Sequence, residues 1–323
     1  MTSSCLVVGA GLSGLMAAYT LQSNGWKVTV VDKGRGVGGR MATRRINGAI
    51  FDHGAQFFTV RDPQFAQWVE QWQKIGIVDV WSYGIPTPEK LAPIDGYPRY
   101  RGVPSMTAVA KHLASTLQVH TSTKITQLKQ TSGWQAISEA GQVFEGEALI
   151  LTPPVPQSLA LLAESAIDLP SDVAITLSNI EYTPCFALMV VLDRPSLIPP
   201  PGALHIQSEP IAWIADNRQK GVSPDQTAIT IHAGPQFTQQ YFDAPSEEVA
   251  LLLLDAARDW LGSASVKIYQ VHRWRYSQPK NPYPSRMLRI DLLYPLIFAG
   301  DAFGGPRVEG AALSGLAAAQ SLL

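Results

Sequence analysis

Apolar residues along this chain fall into three textures. Near the N-terminus they form short, almost continuous runs, Leu6–Gly9 and Trp26–Val31. Between these runs, Gly11–Asn24 has apolar positions at helical spacing, with Gly25 as a stop. The pattern predicts strand, helix and strand within a segment short enough to force a parallel pair. Ile50–Val60 then reads as loop and strand, and Pro63–Ile75 as an amphipathic helix with Phe65, Trp68, Val69 and Trp72 on one face. Residues 84–104 are rich in Pro and Gly and predict turns or a loop-rich hairpin. Met106–Leu117 returns to helix, and Val119–Leu128, Gly133–Ser138 and Ala148–Thr152 read as successive strands, the last stopped by Pro153 and Pro154.

From about residue 156 to 290 the texture changes to alternation. Phe186–Leu192, Ala212–Ala215 and Ala228–Ala233 predict an antiparallel sheet, with a helix over Ser246–Leu261. The buried-strand texture returns at Leu296–Gly300, followed by an Ala/Leu-rich helix over Gly310–Leu323. This order predicts an α/β protein of two interleaved units. A Rossmann-like dinucleotide-binding domain is expected from 1–60, 101–155 and 291–323. A smaller α+β substrate domain on an antiparallel sheet is expected from 61–100 and 156–290.

Composition narrows the functional classes. Of 323 residues 46% are hydrophobic and only 16% charged, enough for a sizeable core. Lys and Arg number 25 against 26 Asp and Glu, so the chain as a whole carries no electrostatic footprint for nucleic acid or an anionic membrane. No apolar run approaches the ~20 residues that span a bilayer. Met1–Gly11 lacks the charged start and cleavage site of a secretory signal. Cys5 and Cys185 read as buried thiols rather than a disulfide or a metal site, which fits a reducing cytoplasm.

Chemistry is concentrated in glycine-rich turns. In Gly9-Ala10-Gly11-Leu12-Ser13-Gly14, Gly9 allows the tight turn, Gly11 lets the backbone approach a pyrophosphate, and Gly14 lets helix pack on strand. The helix start offers N–H groups to phosphates, and Asp32, at a strand end, can accept from a ribose diol. This turn alone does not separate FAD from NAD. Gly38-Gly39-Arg40 adds a second loop for a bulky ligand, with an arginine fit to clamp phosphate. Gly54 and Ala55 permit approach to a flat ring, and Gln56 can bond a flavin edge. At the far end, Asp301 can accept from ribityl hydroxyls. The helix after Glu309 can aim its positive end at flavin N1 and O2. Together these motifs point to noncovalent FAD, with neither cysteine in a place that suggests attachment.

The set GAGLSGL, DKGRGVGGRMATRR, FDHGAQFF, RYRGVPSM, HRWRYS and AGDAFGGPRVEGAALSGLAAA resembles renalase-like proteins of the flavin amine-oxidase superfamily, over nearly the whole chain. The resemblance implies FAD contacts at Gly9, Gly11, Ser13, Gly14, Asp32, Arg40, Ala55, Gln56, Asp301, Glu309 and Ala311, and Leu12, Lys33, Gly39, Met41, Gly54 and Val308 in the same motifs are further cofactor-binding candidates. It also implies adenine against the backbone of Ile125. The implied activity is oxidation of the 2- and 6-dihydro isomers of NAD(P)H, with O2 reduced to H2O2. A dihydronicotinamide nucleotide and O2 are then the partners, with no nucleic acid and no membrane.

Only one GxGxxG is present, so a pyridine nucleotide is expected as a passing substrate at the flavin face. Candidate pocket residues are His232, Trp274 and Asn217, with Trp213 and Asp216 beside them. Alternation over 272–276 puts Arg273 and Arg275 on one face and His272, Trp274 and Tyr276 on the other. Arg307 is a candidate for substrate phosphate. Rival readings are an amine oxidase or a desaturase-like enzyme, and, in another class, a flavin-binding sensor without turnover.

Overall fold

The computed structural model of the protein describes residues 3–90 and 95–323. Four strands with almost wholly apolar sequences, Ser4–Val8, Lys27–Val31, Ala148–Leu151 and Pro295–Phe298, pair in parallel, which requires both faces to be covered. Gln118–His120 adds a parallel edge beside Lys27–Val31, and Leu288–Asp291 adds an antiparallel edge beside Pro295–Phe298. The six strands run in the order 288–291, 295–298, 148–151, 4–8, 27–31, 118–120. One face carries the helices Leu12–Ser23, Thr107–Ala114 and Val308–Gln320. The other carries the sheet of Ile125–Gln130, Trp134–Ser138 and Val143–Gly146, together with the helices Val155–Glu164 and Ser171–Ser178.

Alternation in the middle of the chain produces a five-stranded antiparallel sheet. Its order is Ala203–Ser208, Ile211–Asp216, Thr227–Ala233, Tyr182–Leu192, Val266–Pro279. One face packs on the helices Pro235–Gln240, Ser246–Ala256 and Arg258–Leu261. The other receives the hairpin Thr43–Ile46 and Ala49–Asp52, through Ile46, Ala49 and Phe51 against Met189, Val191 and Ala228.

Several expectations are revised. Pro63–Lys74 forms as a helix, with Pro63 at its first position and Asp62 Oδ1 accepting from Gln64 N at 2.8 Å. However, its buried Phe65, Val69 and Trp72 join the core of the first and last helices, not a substrate unit. Residues 156–180 likewise fold onto the six-stranded sheet, because Leu161, Leu162, Leu177 and Ile180 meet Leu6, Leu149 and Leu151. Within the Pro/Gly-rich stretch Arg99–Gly102 forms a strand that pairs with Val78–Ser82 just before it, while 91–94, within the predicted loop, lie outside the described residues. The last helix starts two residues earlier than its apolar spacing suggests, at Val308.

The sheets are joined by a buried ion pair. Lys220 Nζ lies 2.8 Å from Asp52 Oδ2, and both side chains are fully buried. Asp52 Oδ1 also accepts from Thr43 Oγ1 at 2.9 Å and Met106 N at 3.0 Å. Removing one partner of such a pair strands the other charge, at about 3–5 kcal/mol. Lys220→Met should lower the urea midpoint accordingly, and adding Asp52→Asn should recover part of the loss. Equal midpoints for wild type and Lys220→Met would refute this role.

Candidate functional site: a dinucleotide cleft with an imidazole wall

The first turn is built by close packing. Gly9 sits at φ +109°, and a Cβ on Gly14 would come within 2.0 Å of Gly9 O, so Gly14 serves the strand–helix contact and not a ligand. Gly11 has no neighbour within 4 Å of its would-be Cβ and faces the cleft. The helix Leu12–Ser23 has no side-chain cap, so its opening N–H groups are open to an anion. Ser13 Oγ, buried beside them, has no protein partner. Asp32 accepts from Ala10 N and Gly34 N, each at 2.6 Å, which pins the turn to the second strand. Lys33 and Ile125 line the same end, with Lys33 Nζ held by Gln157 Oε1 at 2.7 Å. This end fits an adenosine diphosphate: an uncapped helix start, an orphaned hydroxyl, and a carboxylate at the second strand.

At the other end the structure departs from expectation. Arg40 makes a two-pronged pair with Asp301, both prongs at 2.6 Å, and also donates to Tyr276 O and Ser277 O at 3.2 Å. The arginine expected on phosphate and the aspartate expected on ribityl thus hold each other. A Cβ on Gly54 would lie 2.0 Å from Arg40 O, and Ala55 N donates to that same carbonyl at 2.8 Å. Gly39 and Met41 line the cleft between these features. Gln56 Nε2 donates to Asp52 O at 2.5 Å and Gly54 O at 3.1 Å, while its Oε1 is buried without a partner. An orphaned acceptor suits the N–H on a flavin's pyrimidine edge. Val308 and Ala311 line the cleft at the uncapped start of the last helix. Glu309 does not: its carboxylate turns away to accept from Arg61 N and Asp62 N at 2.7 and 2.8 Å, anchoring the loop before Pro63–Lys74. The residues present therefore fit FAD, in a cleft of about 1840 Å³.

The third wall comes from the antiparallel sheet. His53 stacks on Trp274, with centroids 5.1 Å apart, and meets His272 edge-on at 5.2 Å. His53 O accepts from Trp274 Nε1 at 3.1 Å and lies 3.1 Å from His232 Nε2. Burial lowers the His53 pKa from 6.5 to about 3, helped by the charges of His272 and Arg44. Burial likewise lowers His232 and His272 to about 4. All three imidazoles are neutral at pH 7.

Alternation over 272–276 holds. Arg273 lies over Phe186 and donates to Phe242 O, Ala244 O and Ser246 Oγ, and Arg275 lies over Phe242, both away from His53. Trp213, Tyr276 and Arg307 line the cleft. Asn217 does not. It is fully buried, with its amide on Asp52 N, Ala228 O and Thr230 Oγ1, so it braces the wall from behind. Asp216 is buried too, holding Ser196 Oγ at 2.7 Å and Arg218 N at 2.9 Å. Cys185, expected in plain core, lines the cleft, but burial pushes its thiol up to about 12, which keeps it protonated. His53 was missed as a wall residue, although it directly precedes the Gly54-Ala55-Gln56 segment.

Comparison with known proteins defines the class. The profile of the flavin containing amine oxidoreductase family matches residues 90–323, and that of the NAD(P)-binding Rossmann-like domain matches 7–72. The chain belongs to the flavin containing amine oxidoreductase family and is an FAD-dependent oxidoreductase. It is 48% identical over 58 residues to protoporphyrinogen oxidase 2 of Arabidopsis thaliana, covering 18% of this chain and 11% of that protein. It is 43% identical over 60 residues to hydroxyneurosporene desaturase of Rubrivivax gelatinosus, covering 19% and 11%. These matches thus span only a small part of those curated relatives. The fold is that of putrescine oxidase (TM-score 0.75, 16% identity, covering 100% of this chain and 99% of that one). It is also that of a putative protoporphyrinogen oxidase from Exiguobacterium sp. 255-15 (TM-score 0.73, 13% identity, 100% and 99%). Among the described residues no helix is long and apolar enough to cross a membrane.

Two glycines of one motif should fail differently. Gly14→Ala should destabilise the protein by about 1–3 kcal/mol through overpacking against Gly9 O. Gly11→Ala should leave apoprotein stability unchanged and lower the ratio of bound flavin to protein. Loss of stability in both would contradict the assignment.

The imidazoles also set an acid limit. His53 and His232 bind protons more weakly folded than unfolded, so the unfolded chain gains protons first. Stability is full above 6.5 and falls as pH drops towards 4, by about 1.4 kcal/mol per pH unit for each imidazole. His232→Gln should flatten that slope in denaturation measured between pH 6.5 and 4.

Proposed function

We propose that this protein is a renalase-like flavin oxidase acting on the 2- and 6-dihydro isomers of NAD(P)H. The observation that carries this reading is the character of the cleft beyond the cofactor motifs. Its wall is aromatic and neutral, while eleven Lys and Arg line the cleft against three carboxylates, Asp32, Glu164 and Asp301. The chain as a whole has a net charge of −1, so this surplus is local. The pyrophosphate of FAD offsets only part of it. A protonated amine would be repelled here, whereas a nucleotide carrying phosphate would be drawn in.

FAD held by the residues above would supply the hydride acceptor, with O2 as the final oxidant and H2O2 as its product. Trp274, stacked on His53 and tied to its carbonyl, presents a rigid flat wall for a dihydropyridine ring. A dihydropyridine loses hydride without prior proton removal, so the wall needs no base, and burial makes its imidazoles weak ones. The protein's contribution is then positioning and exclusion of water.

Anaerobic mixing of the holoenzyme with chemically prepared 2- and 6-dihydroNAD should bleach the flavin rapidly, with no bleaching by putrescine or other amines. Bleaching by an amine and not by either dihydronicotinamide would sink the proposal.

A further inference from the structure

Of the seven arginines that line the cleft, three already have partners within the protein. Arg40 is paired with Asp301, and Arg273 is held by two carbonyls and a hydroxyl. Arg275 lies over Phe242, on the side of its strand opposite Trp274. Arg44 differs from all of these. It stands on Thr43–Ile46, two residues before Ile46 and on the same face. Ile46 packs on the five-stranded sheet beside Ile268, so Arg44 is laid over the strand Val266–Pro279. Its Nη1 is 3.5 Å from Gln270 Oε1, a contact at the outer limit of a hydrogen bond. His272 and Trp274 follow Gln270 at steps of two, on the same face of that strand. Arg44 lines the cleft and is only partly buried, and among the described residues it has no carboxylate within 4.0 Å. Its charge helps depress both His53 and His272.

We propose that Arg44 is the specificity-determining residue for phosphate, binding the phosphate next to the nicotinamide ribose while His272 and Trp274 face the ring. This rests on the dihydronicotinamide reading above. A planar guanidinium at a half-buried rim suits a phosphate better than an ammonium does, through two parallel N–H···O bonds. The same charge disfavours protonation of the neighbouring His53 and His272. A phosphate there would find its partner without displacing a protein carboxylate.

The test is equilibrium binding to the holoenzyme, read by perturbation of flavin absorption and by titration calorimetry. The probes are NAD+, nicotinamide mononucleotide and nicotinamide riboside. Arg44→Gln should weaken the two phosphate-bearing probes roughly tenfold to a hundredfold, as loss of a charge-assisted bond implies, and leave the riboside within about twofold. Arg44→Lys should fall between wild type and Arg44→Gln. Unchanged affinity of Arg44→Gln for the mononucleotide overturns the role of Arg44 and leaves the nicotinamide reading standing. Equal losses for mononucleotide and riboside also overturn it, because Arg44 would then act on the shape of the wall. A wild-type holoenzyme that binds none of the probes overturns the nicotinamide reading, and Arg44 with it.

Discussion

Lys220 and Asp52 meet where no water reaches either charge, and the backbone around Asp52 organises what lies on both sides of it. Each charge would be expensive to bury alone, so the pair persists only because the remaining valences of Asp52 are filled by Thr43 Oγ1 and Met106 N, and Lys220 also lies over the Trp81 ring at 5.2 Å. The backbone is held as firmly as the side chain. Asp52 N is bonded to Asn217, and Asp52 O accepts from both Gln56 and Thr230. The residue that follows is His53, whose carbonyl meets Trp274 and His232. Just beyond it come Gly54, Ala55 and Gln56. One buried charge therefore sets the position of the imidazole wall and of the flavin cradle together.

A second constraint works across a longer span. Arg40 and Asp301 stand 261 residues apart and bring the second glycine loop against the start of the last helix. Because Arg40 also holds the carbonyls of Tyr276 and Ser277, it ties the antiparallel sheet to the same point. The cleft is thus closed by interactions between segments, while each segment's own fold is local. An ion pair that joins segments of the cleft wall is a poor phosphate clamp, since a phosphate would have to compete with a two-pronged carboxylate.

This division explains what was legible from the residues alone. Gly9, Gly11 and Gly14 announce their roles because turn geometry and close packing are local. The buried strands announce themselves through unbroken apolar runs, and Pro63 marks its helix start. What could not be read was partnership. Phe65, Val69 and Trp72 form an apolar stripe that does not say which core it joins. Arg40 and Asp301 each carried a plausible ligand, and only the folded chain shows that they take each other. Asn217 was placed at a strand end near the wall, correctly, but an asparagine can face a ligand or brace a backbone with the same groups. Glu309 is a similar case: a carboxylate at a helix start favours the dipole there and, in this fold, two backbone N–H groups of a neighbouring loop.

The wall and the rim divide the chemistry between them. Histidines beside a flavin invite a reading as general bases, and at ordinary pKa values they would be competent ones. Here burial weakens that capacity in all three, and a neighbouring arginine reinforces the effect at His53 and His272, so a substrate that must first lose a proton meets only weak bases among them. Positive charge meanwhile lines the cleft around this wall, where it can hold a phosphate. A site with a base and no rim charge would suit an amine. A site with cationic lining and only weak bases suits a molecule that is anionic at its tail and already a hydride donor at its head.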